Sequence, residues 1–230
     1  MLSRFFASRN LYCDDGVVHI RNFLDDPTQY LSWKSVEHCL TRDDIFWELI
    51  DKKGHKKNLQ QYKPYWSPVP CQDKNTIYEH IQSKESFVIT GYSKVNRKAN
   101  DLCIEIERSL DVNVDIHVYG GKGEAPSFKT HCDHFSNFII QSVGETYWKV
   151  YKNKQTSLLA CRNDKPLNYD IMDIEWEGIL KPGDLLYIPD RAYHQALPDR
   201  PRLSMSIPCV PTVLNPEFYD RRNYKIQTDN

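Results

Sequence analysis

The sequence predicts an α+β chain whose second half is an antiparallel sandwich or barrel, and three observations predict it. Helix-like periodicity is confined to the first half, with apolar residues at Val95, Ala99, Cys103, Ile106 and Leu110 recurring at three- and four-residue steps. Beyond residue 111 the chain becomes a series of short alternating segments separated by turn residues. The length, 230 residues with 40% hydrophobic content, suits one domain with a sizeable core. Within it the expected parts are a helix-and-strand portion over about 1–110, a β core over about 111–210 and a polar tail over about 211–230, of which Asn215–Asn230 is the most polar stretch.

Taken in order, Gly16–Leu24 reads as a strand. Asp26-Pro27 then offers an N-cap and a first-turn proline for a helix running to about Leu40. Lys52–Pro70 is loop-like and combines Lys52, Lys53, Lys56 and Lys57 with Tyr62, Tyr65 and Trp66. Phe87–Tyr92 is a short strand ahead of the periodic helix. Val112–Tyr119 alternates, with Val114, Ile116 and Val118 on one face and Asp115, His117 and Tyr119 on the other. A glycine-containing loop follows over Gly120–Lys129. Thr130–Val143 and Thr146–Tyr151, separated by Gly144-Glu145, form an expected hairpin, and Leu185–Pro189 and Leu203–Cys209 complete at least six strands.

Charge and composition narrow the function. Lys and Arg total 30 against 31 Asp and Glu, a net charge of −1, which disfavours a protein that lives on the nucleic-acid backbone. No apolar run approaches the roughly 18 residues that span a bilayer, so no membrane partner is expected. Seven scattered cysteines, with no CxxC pair, fit a reducing compartment. Met1–Arg9 carries two arginines and no acid, weakly like a transit peptide, but Asp14 and Asp15 follow closely and no secretory apolar core is present; cytoplasm is the expected location.

His131-Cys132-Asp133 carries the chemistry. On a strand, the period of two places His131 and Asp133 on one face, continuing through Phe135, Asn137, Ile139 and Gln141. Some fifty residues later Leu180–Pro189, a turn feeding an apolar strand, is followed by His194. Two histidines and a carboxylate from separate strands match the facial triad of non-haem Fe(II) enzymes, which leaves three coordination positions open; zinc on the same ligands needs only one.

The pattern His131-x-Asp133-x-x-x-Asn137-Phe138-x-x-Gln141-x-x-Gly144-x-x-Tyr147-x-x-x-Tyr151, then Gly183-Asp184-x-Leu186-x-Ile188-Pro189, His194 and Leu203–Ser206, resembles the JmjC and cupin-like 2-oxoglutarate oxygenases. It is most similar to their small hydroxylase branch, which includes the asparaginyl hydroxylase acting on hypoxia-inducible factor and the ribosomal oxygenases. The resemblance covers about Val112 to Val210. It implies a double-stranded β-helix, a jelly roll with the N-terminal helices packed on it. It also implies coupled oxidation of 2-oxoglutarate and a primary substrate by Fe(II) and O2, the substrate being a protein, peptide or amino acid.

Carried over by residue, His131, Asp133 and His194 match the iron ligands, and Asn137 matches an asparagine that contacts the co-substrate. The chain departs from the family at Thr146, where relatives carry Lys or Arg two residues before the aromatic at Trp148 to pair with the distal carboxylate of 2-oxoglutarate. Arg202 is the expected substitute, since it shares parity with Ser204 and Ser206; Tyr119, Ser127 and Lys129 are further candidates, and Lys149 has the wrong parity. His117 and His134 are expected to be structural or exposed, and Trp33, Trp47, Trp148 and Trp176 to serve packing. The Lys52–Trp66 stretch is a candidate platform for the primary substrate, RNA included. Alternatives are a metal-dependent cupin enzyme that does not use 2-oxoglutarate, a nucleic-acid hydroxylase, and a non-catalytic cupin binding module.

Overall fold

The computed structural model describes residues 16–59, 61–62, 71–125, 127–154 and 172–212. Met1–Arg9, Tyr65, Trp66 and the Asn215–Asn230 tail, singled out above, lie outside the described residues. The first half contributes β1 (Val18–Ile20), a 3-10 turn (Pro27–Gln29), α1 (Trp33–Cys39), β2 (Phe46–Ile50), β3 (Gln61–Tyr62), β4 (Cys71–Gln72), α2 (Lys74–Gln82), β5 (Ser86–Thr90) and α3 (Arg97–Leu110). There follow β6 (Val112–Asn113), β7 (His117–Gly121), β8 (His131–Cys132), β9 (Asn137–Val143) and β10 (Thr146–Lys154). The last strands are β11 (Ile174–Leu180), β12 (Leu185–Ile188), β13 (Ala192–Leu197), β14 (Arg202–Pro208) and β15 (Val210–Pro211).

Two antiparallel sheets face each other. The larger runs β1-β12-β9-β14-β7-β5-β2 and the smaller β11-β10-β13-β8, the double-stranded β-helix with helices packed on it. Alternation sorts each strand of the larger sheet between two environments. Along β14, Leu203, Met205 and Ile207 join Trp47, Phe87, Ile89, Val118, Phe138 and Ile140 in one core with Leu31, Val36, Ile77, Leu102 and Ile106 from the helical side. Arg202, Ser204 and Ser206 point the other way, between the sheets. There a smaller core of Ile139, Trp148, Val150, Leu180, Leu186, Ile188 and Ala192 fills part of the interior. Each fully buried Ile, Leu or Phe contributes about 1.5–3 kcal/mol, so this apolar face anchors the polar row behind it.

α3 forms where its periodicity places it. Asn96 accepts from the Ala99 amide at its start, Ala99, Leu102, Cys103 and Ile106 are buried, and Asp111 closes it at φ +52°.

Several elements differ from the sequence reading. The helix expected from Asp26 to Leu40 is two pieces. The Asp26 carboxylate takes the side chains of Thr28 and Gln29 instead of capping the backbone, and Ser32 starts α1 by exchanging hydrogen bonds with Ser35. β2, α2, β11 and β13 were not anticipated; α2 buries only Ile77, His80 and Ile81, too few apolar residues to show a helical stripe. Val112–Tyr119 divides into β6 and β7, and β7 continues through Gly120 and Gly121, placed above in a loop. A Cβ on Gly120 would sit 2.4 Å from the Phe87 ring, so only glycine lets β5 and β7 pair with that ring between them.

The largest correction concerns Thr130–Val143. It is not one strand: β8 belongs to the smaller sheet and β9 to the larger, and residues 133–136 cross between them. Nor do Gly144-Glu145 turn a hairpin, because β9 and β10 lie in different sheets. Gly144 turns this corner at φ +68°, hard against the Pro201 carbonyl.

Candidate metal centre

The histidines are brought together by strand register. β8 pairs with β13 so that His131 lies directly opposite His194, and their ring centroids are 4.4 Å apart. Asp133 does not reach them along a strand, as strand parity implied. It sits in the bend beyond Cys132, where the Arg191 amide donates to its carbonyl at 2.8 Å. Its carboxylate oxygens then lie 3.9 Å from His131 Nε2 and 3.6 Å from His194 Nε2. One ligand atom from each of the three falls within 4.8 Å of the others.

Backbone carbonyls decide which ring nitrogen is available. His131 Nδ1 is 2.8 Å from the Lys129 carbonyl and His194 Nδ1 is 2.9 Å from the Ala192 carbonyl. A carbonyl only accepts, so each Nδ1 carries a proton and each ring turns its other nitrogen, Nε2, towards Asp133 as the one left to hold a metal. Burial, and then the neighbouring His131, push His194 down to about 4, so its ring is neutral at pH 7. Two imidazoles and a carboxylate on one side of an open cavity fit a divalent transition metal, iron foremost.

Asn137, the first residue of β9, supports this cluster. Its Nδ2 lies 3.4 Å from Asp133 Oδ2 and 2.8 Å from Ser206 Oγ. It therefore positions the carboxylate while also lining the cavity.

The cavity beside the triad collects most of the other expected residues: Tyr119, Ser127, Thr146, Arg202 and Ser204 all line it. Ser204 Oγ donates to Gln141 Oε1 at 2.8 Å. Burial raises the Tyr119 phenol, so it remains a neutral donor. Thr146 is 2% exposed and its hydroxyl has no hydrogen-bond partner among the described residues. Arg202, 4% exposed, is pushed down to about 10 by burial and stays charged.

Other residues fall elsewhere. Lys129 is exposed and contributes only its carbonyl; Phe135 is half-buried, His134 exposed, and neither lines the cavity, because the bend at 133–136 breaks the parity. His117 and Lys149 also lie outside it.

The sequence reading missed several cavity residues, Trp148 and Phe128 among them. Trp148, assigned above to packing, lines the cavity, and its indole Nε1 has no partner among the described residues; its place two residues after Thr146 was the available signal. Phe128 packs against Tyr119 and His131, with ring centroids 6.0 and 5.6 Å away. Over Phe128 stands Lys56, 5.9 Å from the ring centre, which brings the basic loop to the cavity wall. Lys56 also pairs with Glu48 at 2.7 Å and Lys57 pairs with Glu85, so two of the four lysines already hold acids. No helix among the described residues is long and apolar enough to cross a membrane.

Comparison with known proteins agrees with this geometry. The model of the JmjC domain matches residues 92–214. A bifunctional lysine-specific demethylase and histidyl-hydroxylase NO66 from Drosophila persimilis is 29% identical over 182 residues, covering 77% of this chain and 25% of that protein. The protein of the same name from Caenorhabditis elegans is 26% identical over 165 residues, covering 66% and 22%. The chain thus spans about a quarter of the length of these curated relatives. Among solved structures, the X-ray structure of E. coli ycfD superposes with a TM-score of 0.60 at 16% identity, covering 99% of this chain and 60% of that one. The Escherichia coli ribosomal oxygenase YcfD in complex with cobalt and 2-oxoglutarate gives 0.59 at 18%, covering 99% and 59%; at these identities the likeness is one of fold. With more than half its length inside the matched model, the chain belongs to the JmjC domain family.

Proposed function

We propose that this chain is an Fe(II)- and 2-oxoglutarate-dependent oxygenase that hydroxylates a side chain of a protein or peptide. The observation that carries the reading is the convergence of two histidines of fixed tautomer and one carboxylate beside a cavity lined by polar groups. His131, Asp133 and His194 would hold the metal, which when bound supplies O2 activation coupled to decarboxylation of 2-oxoglutarate to succinate and CO2. The chain's own part is to fix the ligands, seat the co-substrate and exclude water. The Lys129 and Ala192 carbonyls engage both Nδ1 atoms and leave Nε2 as the nitrogen each ring offers to a metal. Asn137 steadies Asp133, and Ile139, Trp148 and Phe128 make the cavity walls apolar around a few polar contacts.

A protein substrate is favoured over RNA because Lys56 and Lys57 pair with Glu48 and Glu85 instead of standing free for phosphates. The relatives named as histidyl-hydroxylases support the same class. Among the described residues Cys39, Cys103 and Cys209 are buried thiols outside any disulfide, which suits a reducing, cytoplasmic setting. The test is succinate release from 2-oxoglutarate by purified chain with Fe(II), against Asp133→Ala. Slow release by the wild type alone supports the reading. Metal binding without any use of 2-oxoglutarate would favour a cupin enzyme of another kind.

A further inference from the structure

Four strands of the larger sheet end in one row. Register joins Arg202 to Gly121, Gly121 to Ser86 and Ser86 to Ile50, across β14, β7, β5 and β2 in that order. Just beyond this row each strand carries a cation: Arg200 ahead of β14, Lys122 after β7, Lys84 ahead of β5 and Lys52 after β2. All four line a single open groove. Segment 123–125 separates it from the cavity, since the carbonyls of Gly123 and Ala125 accept from Arg202 at 3.3 and 2.9 Å. Three of the four cations lack a counter-charge. Arg200 is held by Asp199 at 2.7 Å and Glu145 at 3.5 Å, but Lys52, Lys84 and Lys122 form no ion pair among the described residues. Lys122 is fixed all the same: its Nζ donates to Gln82 Oε1 at 3.0 Å and stands 5.7 Å from the centre of the Trp33 ring. Lys84 is held at φ +62°, and its carbonyl leaves no room for a Cβ at Gly123. Like charges gathered on neighbouring strand ends repel, and an anion laid across them removes that cost.

We infer that this groove binds an acidic stretch of a partner protein in extended form, with Lys52, Lys84 and Lys122 as its cations. Neighbouring strands lie about 4.8 Å apart, so the row is about 14 Å long, the reach of four or five extended residues at about 3.3 Å each. Two features favour carboxylates over the phosphates of a nucleic acid. Glu124 and Asp199 also line the groove and oppose an unbroken run of phosphates, whereas the acids of a peptide can be spaced past them. Among the described residues no aromatic side chain lines it, so it has no platform on which bases could stack. Lys52 is thereby set apart from Lys56 and Lys57, which hold Glu48 and Glu85.

The experiment is fluorescence anisotropy on the full chain without metal, using labelled hexaglutamate and labelled hexauridylate as probes. Hexaglutamate should bind in low salt, about fivefold or more tighter than hexauridylate. Its binding should weaken about tenfold in 0.15 M salt, where exposed charges are screened beyond about 8 Å. The triple variant Lys52→Ser, Lys84→Asn, Lys122→Gln should weaken it about tenfold or more, since one exposed charge pair contributes a factor of about two to five. Asparagine at position 84 tolerates the positive φ and keeps that turn folded. Lys52→Ser alone, the milder change, should weaken binding about threefold. Lys53→Ser, next in sequence but outside the groove, should change it less than about twofold. Equal affinity in the wild type and the triple variant overturns the inference. So does a loss from Lys53→Ser equal to that from Lys52→Ser, which would make the effect one of net charge, and so does absence of hexaglutamate binding in low salt. Hexauridylate bound within about fivefold of hexaglutamate, and lost in the same triple variant, gives the groove to nucleic acid instead. Neither metal nor 2-oxoglutarate takes part, so these results stand apart from the oxygenase reading.

Discussion

The amide of Arg191 donates to the carbonyl of Asp133 at 2.8 Å, tying the turn before β13 to the bend that carries the carboxylate ligand. Arg191 makes this contact at φ +59°, a left-handed conformation that a side chain adopts at a cost. The bond joins the segment bearing His194 to the segment bearing Asp133 through main chain alone.

Because the contact uses the backbone, the arginine side chain is dispensable to it. Arg191→Gly should keep Mn(II) affinity within about threefold. Arg191→Pro, which removes the N–H and cannot reach a positive φ, should lower it at least tenfold and destabilise the chain by about 3 kcal/mol. Titration of both variants by electron paramagnetic resonance checks the pair.

Asn137 reaches Asp133 without being a ligand itself. Asn137→Ala should weaken Mn(II) binding by about 10- to 100-fold, the usual effect of losing a partner that orients a ligand, whereas Asp133→Ala should abolish it. Equal affinities in wild type and Asn137→Ala would leave the amide with a packing role only.

Gly144 carries the chain from one sheet to the other, and a Cβ there would come within 2.0 Å of the Pro201 carbonyl. Gly144→Ala should therefore cost about 3 kcal/mol or more, lowering the melting temperature by about 10 °C. A calorimetric scan at fixed pH decides it.

His80 predicts a pH dependence of stability. Burial holds its imidazole below the ordinary range and Lys57 adds to this, although the Ser86 carbonyl at 2.7 Å and Glu85 pull the other way. With the folded value below the unfolded one of about 6.5, the stabilisation from neutral His80 is complete above pH 6.5. It is lost as pH falls below that value, since the unfolded chain takes up the proton first. Urea unfolding at pH 7, 6 and 5 should show this decline, and His80→Gln, whose amide can still donate to the Ser86 carbonyl, should flatten it. Identical slopes for both chains would remove His80 as the cause.

The sequence by itself determined whatever depends on neighbours along the chain. The periodic stripe from Val95 to Leu110 specified α3, and the alternation after residue 111 specified a β-rich second half. The shared parity of Arg202, Ser204 and Ser206 correctly placed them on one face, because β14 runs unbroken through all three. His131, Asp133 and His194 were legible as a set from residue type and spacing, though not the way they meet. Only the tertiary structure decided that Asp133 lies in a bend between sheets, that Gly144 turns a corner in place of a hairpin, and that Ser86 supports Arg202 across 116 positions of sequence. The physical reason is that a strand pattern records which face a residue occupies and carries no label for the sheet it joins. That choice follows from non-local packing: which apolar faces can be buried together, and where a missing Cβ leaves room for another chain segment to approach.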